Sequence, residues 1–176
     1  MTDIEKALKI DGWMWESELQ WLASMAEKSH AILELGSFFG RSTRALCDNT
    51  KGTVVAVDLW EQTEGGLVAN FPEAESKFIE NIKDHLITHK LFIYKCTTDV
   101  AIDILRKDCR KFDLIFIDAD HRYEQVKKDI LGCRELLTDG GIISGHDTTY
   151  EGVAKAVFEI FPENKVQTLA SIWWIQ

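Results

Sequence analysis

The sequence predicts an α/β fold, a doubly wound and mainly parallel sheet with helices on both faces. Three observations predict it. Short apolar runs alternate with segments of helical periodicity along the chain. The runs are continuously apolar rather than alternating, as in strands covered on both faces. Polar residues collect at the carboxyl ends of those runs, where open parallel sheets bind ligands.

Trp15 to Lys28 carries Leu19, Leu22, Ala23 and Ala26 at helical spacing and reads as an amphipathic opening helix. Ala31-Ile-Leu-Glu-Leu is the first strand, and the stretch AILELGSFFGRST is the one the chain is organised around. Gly36 follows the strand directly, and Gly40 precedes a helix over Arg41 to Cys47. A strand that turns on glycine into a helix start leaves backbone N–H groups open toward a ligand. Gly36 can take the positive φ that such a turn requires. Glu34 places a carboxylate beside the turn, which suits a positively charged head group and disfavours a phosphate.

Val54-Val-Ala-Val is the second strand and ends on Asp58. A carboxylate at that strand end fits hydrogen bonds from a ribose diol; a solvated turn residue is the plainer reading. The stretch 60–75 shows no periodicity, and unstructured loops of that length are often functional. It is expected to be a mobile lid over the ligand. Phe78, Ile79, Ile82 and Leu86 mark a helix, and Leu91-Phe-Ile-Tyr a third strand. Asp99 is placed to cap the next helix, which carries Ala101, Ile104 and Leu105.

Phe112 to Ile117 is the fourth strand, ending on Asp118. Asp120 reads either as a cap of the following helix or as a site residue, and His121 as a surface residue at the helix start. Val126, Ile130, Cys133 and Leu137 repeat on one helix face. Asp139-Gly-Gly is a stop, after which Ile142-Ile143 opens a fifth strand that ends at His146-Asp147. Thr148 with Glu151 reads as a capping box. Its helix ends at Pro162, and Val166–Leu169 with Ile172–Ile175 form a closing hairpin that takes up Trp173 and Trp174. Trp60 either faces the core or walls a base. Both His146 and Asp147 can face one site only if the chain has already turned, since neighbours on a strand point oppositely.

Composition narrows the function. Among 176 residues, 29 acidic against 20 basic side chains give a net charge of −9, which argues against a nucleic-acid partner. No apolar run reaches the ~18 residues of a membrane span, and no signal peptide is evident at the start, so a cytoplasmic protein is expected. The four cysteines, Cys47, Cys96, Cys109 and Cys133, have no C-x-x-C spacing and read as reduced thiols in or near the core. A single domain over 1–176 is expected, with a helical segment at 1–30 and the core at 31–176.

Four ordered motifs carry a family resemblance: Glu34-x-Gly-x-x-x-Gly-x-Ser-Thr, Val-Asp58-Leu-Trp, Phe-Ile-Asp118-Ala-Asp-His-x-Tyr, and Gly-Gly141-x-Ile-x-Gly-His-Asp147. Together they resemble the class I S-adenosylmethionine-dependent methyltransferases, nearest a bacterial small-molecule and sugar O-methyltransferase subgroup. The resemblance implies a Rossmann-like seven-stranded sheet of order 3-2-1-4-5-7-6, with Ile172–Ile175 as an antiparallel strand 7. It implies that Glu34, Gly36, Ser37, Gly40, Ser42 and Thr43 hold the methionine part of S-adenosylmethionine. Asp58 and Leu59 would lie at the ribose, Thr98 and Asp99 at the adenine, and Asp118 beside the methyl.

O-methylation of a small-molecule acceptor is the activity implied, with an oligomer possible and the acceptor left open. Against that resemblance, this stretch of sequence is expected to lack the N-terminal cap segment and long insertions by which such enzymes recognise acceptors. Relatives that use a divalent cation such as magnesium take ligands from the ends of strands 4 and 5, here Asp118 and Asp147. His146 stands where they often have a carboxylate, so His146 as proton acceptor is the competing reading. A cofactor-binding but inactive partner module and a nucleotide-binding oxidoreductase of related fold are the alternatives.

Overall fold

A computed structural model describes residues 2–61 and 71–176. Its framework is one seven-stranded sheet of order β3-β2-β1-β4-β5-β7-β6. The strands are β1 Ala31–Leu35, β2 Thr53–Asp58, β3 Leu91–Lys95, β4 Phe112–Ile117, β5 Leu137–Gly145, β6 Gln167–Leu169 and β7 Ile172–Ile175. The first five run parallel, whereas β7 is antiparallel to both β5 and β6, so the expected sheet order and closing hairpin are present. The helices are α1 Glu5–Leu8, α2 Glu16–Ala26, α3 Arg41–Asn49, α4 Ala74–Ile87, α5 Thr98–Lys107, α6 Tyr123–Leu136 and α7 Glu151–Ile160.

The period of two along each strand divides the core. Ile32, Val54, Ala56, Leu114 and Phe116 face one side and pack against Leu19, Leu22, Leu46, Phe78 and Ile82 from α2, α3 and α4. Leu33, Leu35, Val55, Val57, Ile115 and Ile117 face the other and meet Leu105, Ile130, Val157 and their neighbours on α5, α6 and α7. Trp173 is 1% exposed within that second layer, and Trp174 packs on Trp21 with ring centroids 4.9 Å apart.

Several local expectations are corrected. Asp99 is not the cap of α5; the chain turns into the helix earlier, because the Thr97 hydroxyl already accepts the Val100 N–H. Asp120 does not cap α6, whose first residue follows Arg122; its carboxylate instead accepts the Arg122 N–H at 2.7 Å. Thr148 and Glu151 form no capping box. The Thr148 hydroxyl donates to the Ser171 carbonyl at 3.2 Å, and α7 begins after Tyr150.

Strand β5 starts at Leu137, not Ile142: Leu137 pairs with Phe112 directly after α6, and the register shifts at a bulge before Ile142 pairs with Leu114. Gly140 there has φ +76°. Cys47 and Cys133 are buried and Cys96 is half-buried, but Cys109 is exposed; all four are free. The lid expected in 60–75 falls mostly on 62–70, outside the described residues. Among the described residues, no helix is long and apolar enough to cross a membrane.

Candidate active site at the carboxyl edge of the sheet

Strands β1 and β4 lie side by side although the chain leaves β1 toward β2, so the strand order reverses between them. A crevice opens at such a point. Here it is a cleft of about 810 Å³, running from the end of β3 past β2, β1 and β4 to β5.

The turn after β1 forms the floor. Gly36 has φ +88°, and a Cβ on it would lie 2.1 Å from the Asp118 carbonyl oxygen, so only glycine lets β1 and β4 end this close together. Gly40 has φ +87° and precedes α3, whose first turn has no side-chain cap. Its open N–H groups lie at the cleft wall beside Ser42. Asp58 Oδ2 accepts the N–H groups of Ser37 at 2.8 Å and Phe38 at 2.9 Å, and Oδ1 that of Trp60 at 2.8 Å. Phe38 and Trp60 are both held at positive φ, 45° and 47°. Asp58 therefore shapes the turn, and of a carboxylate's roughly four acceptor positions about one is left for a ligand.

Glu34 is placed differently from what its motif suggests. It is fully buried behind the turn, away from the cleft wall, and its Oε2 accepts the Ser37 hydroxyl at 2.7 Å and the Thr43 hydroxyl. Burial pushes its carboxyl up to about 7, with the Ser42, Thr43 and Ser37 hydroxyls pulling back. Its Oε1 is buried without a partner among the described residues. Gly40 and Thr43 also lie off the cleft wall, whereas Gly36, Ser37, Ser42, Asp58, Leu59, Thr98, Asp99, Asp118, His146 and Asp147 are on it. At the β3 end, the Gln125 amide donates to Thr98 Oγ1 at 3.2 Å, Asp99 Oδ1 at 3.3 Å and Asp129 Oδ1 at 3.0 Å, tying α5 to α6. The Trp60 indole N–H donates to the Phe38 carbonyl at 2.8 Å, and its ring lies 4.7 Å from that of Phe78; it is 8% exposed and core-facing, with one edge on the cleft.

Five side chains meet at and behind the ends of β4 and β5. Asp147 has φ +64°, so the chain has left the strand there and both it and His146 reach the same side. His146 Nδ1 lies 3.2 Å from Asp147 Oδ1 and 3.8 Å from Asp118 Oδ1, and its Nε2 lies 3.1 Å from Glu18 Oε2. His121 Nε2 lies 2.8 Å from Asp147 Oδ2. Burial opposes charge on His146, but Asp147, Asp118 and Glu18 outweigh it and raise the imidazolium to about 9. Burial pushes the Asp118 carboxyl up to about 7. Asp147, although partly buried, is held well below the usual carboxylate range by His121 and His146. Asp147 in turn raises His121.

Two members of this group escaped sequence reasoning. Glu18 is fully buried on α2, where it accepts the N–H groups of Trp15 and Ser171, each at 2.8 Å, and backs His146. Its one signal was its place three residues into a helix. His121 looked like a surface residue but stacks on Tyr150 with ring centroids 4.7 Å apart.

The comparisons with known proteins agree with this geometry. Residues 33–148 match a family model described as a methyltransferase domain. An O-methyltransferase of Aspergillus hancockii is 30% identical over 140 residues, 76% of this chain; the chain spans about half the length of that relative (50%). An O-methyltransferase from Bacillus cereus, solved with SAH, superposes with a TM-score of 0.70 at 18% identity, covering 98% of this chain and 89% of that one. An SAH-bound Podospora anserina methyltransferase gives 0.67 at 16% identity, covering 93% and 79%. These structures share the fold, and the match of the family model over the first strand, the glycine turn, Asp58 and the Asp118–Asp147 rim places this chain in the methyltransferase domain family.

Proposed function

We propose that this chain binds S-adenosylmethionine and directs its methyl group to a hydroxyl of a small-molecule acceptor. The observation that carries the reading is one cleft with two unlike ends. At one end the glycine turn, the open first turn of α3, Asp58 and Thr98-Asp99 offer N–H groups and carboxylates to an amino acid, a ribose and a base. At the other end, Asp118, His121, His146 and Asp147 gather charge and proton-handling groups where an acceptor would meet it. The bound cofactor supplies a sulfonium methyl; this wall supplies orientation, which in well-aligned cases contributes up to about 7–11 kcal/mol.

In this reading His121, rather than the expected His146, is the proton acceptor. His146 is 6% exposed, and its two nitrogens face Asp147 and Glu18, so neither is left for an acceptor. His121 is 25% exposed and lines the cleft, with Nε2 2.8 Å from Asp147 Oδ2. Asp147 then orients His121 and favours its protonated form. His146, positively charged between Asp118 and Asp147, supplies the compensation that two facing carboxylates need.

A divalent cation is the second reading. Atoms of Asp118, His121 and Asp147 lie within 4.8 Å of one another, and the mixed imidazole and carboxylate set suits manganese or zinc better than magnesium.

Calorimetry with S-adenosylhomocysteine tests the cofactor. Binding is expected, and Asp58→Ala should weaken it by about 1.5–3 kcal/mol. No heat on folded protein would sink the reading. With an acceptor found, His121→Ala should abolish turnover that a chelator leaves intact. Loss of turnover on chelation, restored by manganese, would favour the cation instead.

A further inference from the structure

The acceptor end of the cleft has a chemistry of its own, and this inference rests on the reading above. Three large aromatic rings on the cleft wall stand open: Trp15 is 69% exposed, Trp13 59% and Tyr150 52%. Exposed rings of this size grouped at a cavity are unusual for a surface with nothing to bind. They are held in place. Trp13 packs on Phe38 at 4.9 Å, and Tyr150 stacks on His121 at 18° between planes. The segment from Ala7 to Met14, which carries Trp13 and runs directly into Trp15, is clasped by Arg41 at the start of α3. Its guanidinium donates to the Met14 carbonyl at 3.2 and 3.0 Å, to Leu8 at 3.2 Å, to Ala7 at 3.4 Å and to Ile10.

The charge around these rings is mainly acidic. Asp11, Glu61, Asp118, Asp120 and Asp147 line the cleft together with Asp58 and Asp99. The two arginines on its wall, Arg41 and Arg122, are both occupied: Arg41 by the backbone carbonyls just named, Arg122 by both oxygens of Asp120. No lysine lines the cleft among the described residues, and 62–70 contain neither lysine nor arginine in sequence. The cleft's two histidines, His121 and His146, both lie against Asp147, so a phosphate or carboxylate entering here would meet mainly like charge, with each cation on the wall already matched by an acid or by backbone carbonyls. A planar ring would find faces to stack on, and a cationic substituent would be attracted by both the rings and the acids.

We infer that the acceptor is a planar aromatic hydroxyl compound without an anionic group, and that the cleft rejects phosphorylated or carboxylated acceptors. Four probes of matched size test this by calorimetry on protein saturated with S-adenosylhomocysteine: tyramine, tyrosol, 4-hydroxyphenylacetate and 4-ethylcyclohexanol. Tyramine and tyrosol are expected to bind about tenfold or more tightly than 4-hydroxyphenylacetate, the gap for tyramine narrowing as salt is raised. The saturated alcohol should bind more weakly than tyrosol. Trp15→Ala and Tyr150→Ala should lose tyrosol binding about fivefold or more, with melting temperature and S-adenosylhomocysteine affinity unchanged. Asp11→Lys should bring 4-hydroxyphenylacetate closer to tyramine.

Equal or tighter binding of the carboxylate, equal binding of the saturated alcohol, or no binding by any probe at millimolar concentration overturns the inference while leaving the cofactor reading intact. Failure of S-adenosylhomocysteine itself to bind overturns both.

Discussion

Gly36 and Glu34 show how much single residues are asked to do. Gly36 combines positive φ with the closest approach of two strand ends, so Gly36→Ala both strains the backbone and drives a methyl into the Asp118 carbonyl. A loss of at least about 1–3 kcal/mol is expected on denaturant unfolding, with cofactor binding lost alongside. Glu34 makes a pH prediction. Its folded pKa, about 7, lies above its ordinary value, so the native state holds the proton more tightly than the unfolded chain. Stability therefore falls as pH rises from about 4.5 to 7 on its account. Asp129, raised to about 6 by burial, and Asp118 act in the same direction. Asp84 acts oppositely: Arg44 holds it at about 2, so its contribution is present above its ordinary pKa and is lost in acid. The melting temperature should peak on the acid side of neutrality. Glu34→Gln should flatten the falling limb, by an amount of order 3 kcal/mol at pH 8. An unchanged slope in the variant would show that Glu34 is ionised without cost.

At the scale of elements, the ends of helices and strands matter more than their middles. Helix α5 begins where Thr97 accepts the Val100 N–H, two residues ahead of Asp99. Thr97→Ala should cost about 1 kcal/mol, readable as a shift in the denaturant midpoint, and Asp99→Ala much less. Strand β7 is short but carries Trp173, 1% exposed against Phe161 and the β5 edge. Trp173→Ala should cost about 3–5 kcal/mol, and because β7 pairs through Gly145 it should also disturb the adjoining His146-Asp147 turn. Near-native stability in that variant would mean the hairpin is dispensable.

For the whole molecule, one parallel sheet sets every distance in the site. Five strand ends are brought to one edge, and the reversal between β1 and β4 opens the crevice that separates the cofactor end from the acceptor end. The N-terminal segment lines one wall of that crevice: Arg41 holds it against the start of α3, and Glu18 joins it to the Ser171 loop and to His146. A helix at one end of the sequence thereby backs a histidine 128 positions on (146 − 18).

The amino-acid order alone determined the strands, their parallel course and the residues that end them, because apolar runs, glycines and periodicity are local signals. It also determined that Asp58, Asp118, His146 and Asp147 would share one rim. Only the tertiary structure decided what each carboxylate does. Glu34 sits one residue before a strand end, yet the pleat turns it into the core beneath the turn. His121, Trp13, Trp15 and Tyr150 became part of the cleft, and Glu18 came to back His146, through contacts between distant segments, and no local pattern records those contacts. Burial, partner charge and the direction of a side chain are properties of the assembled sheet. They turned one histidine of the rim into a buried cation and left the other open to the cleft.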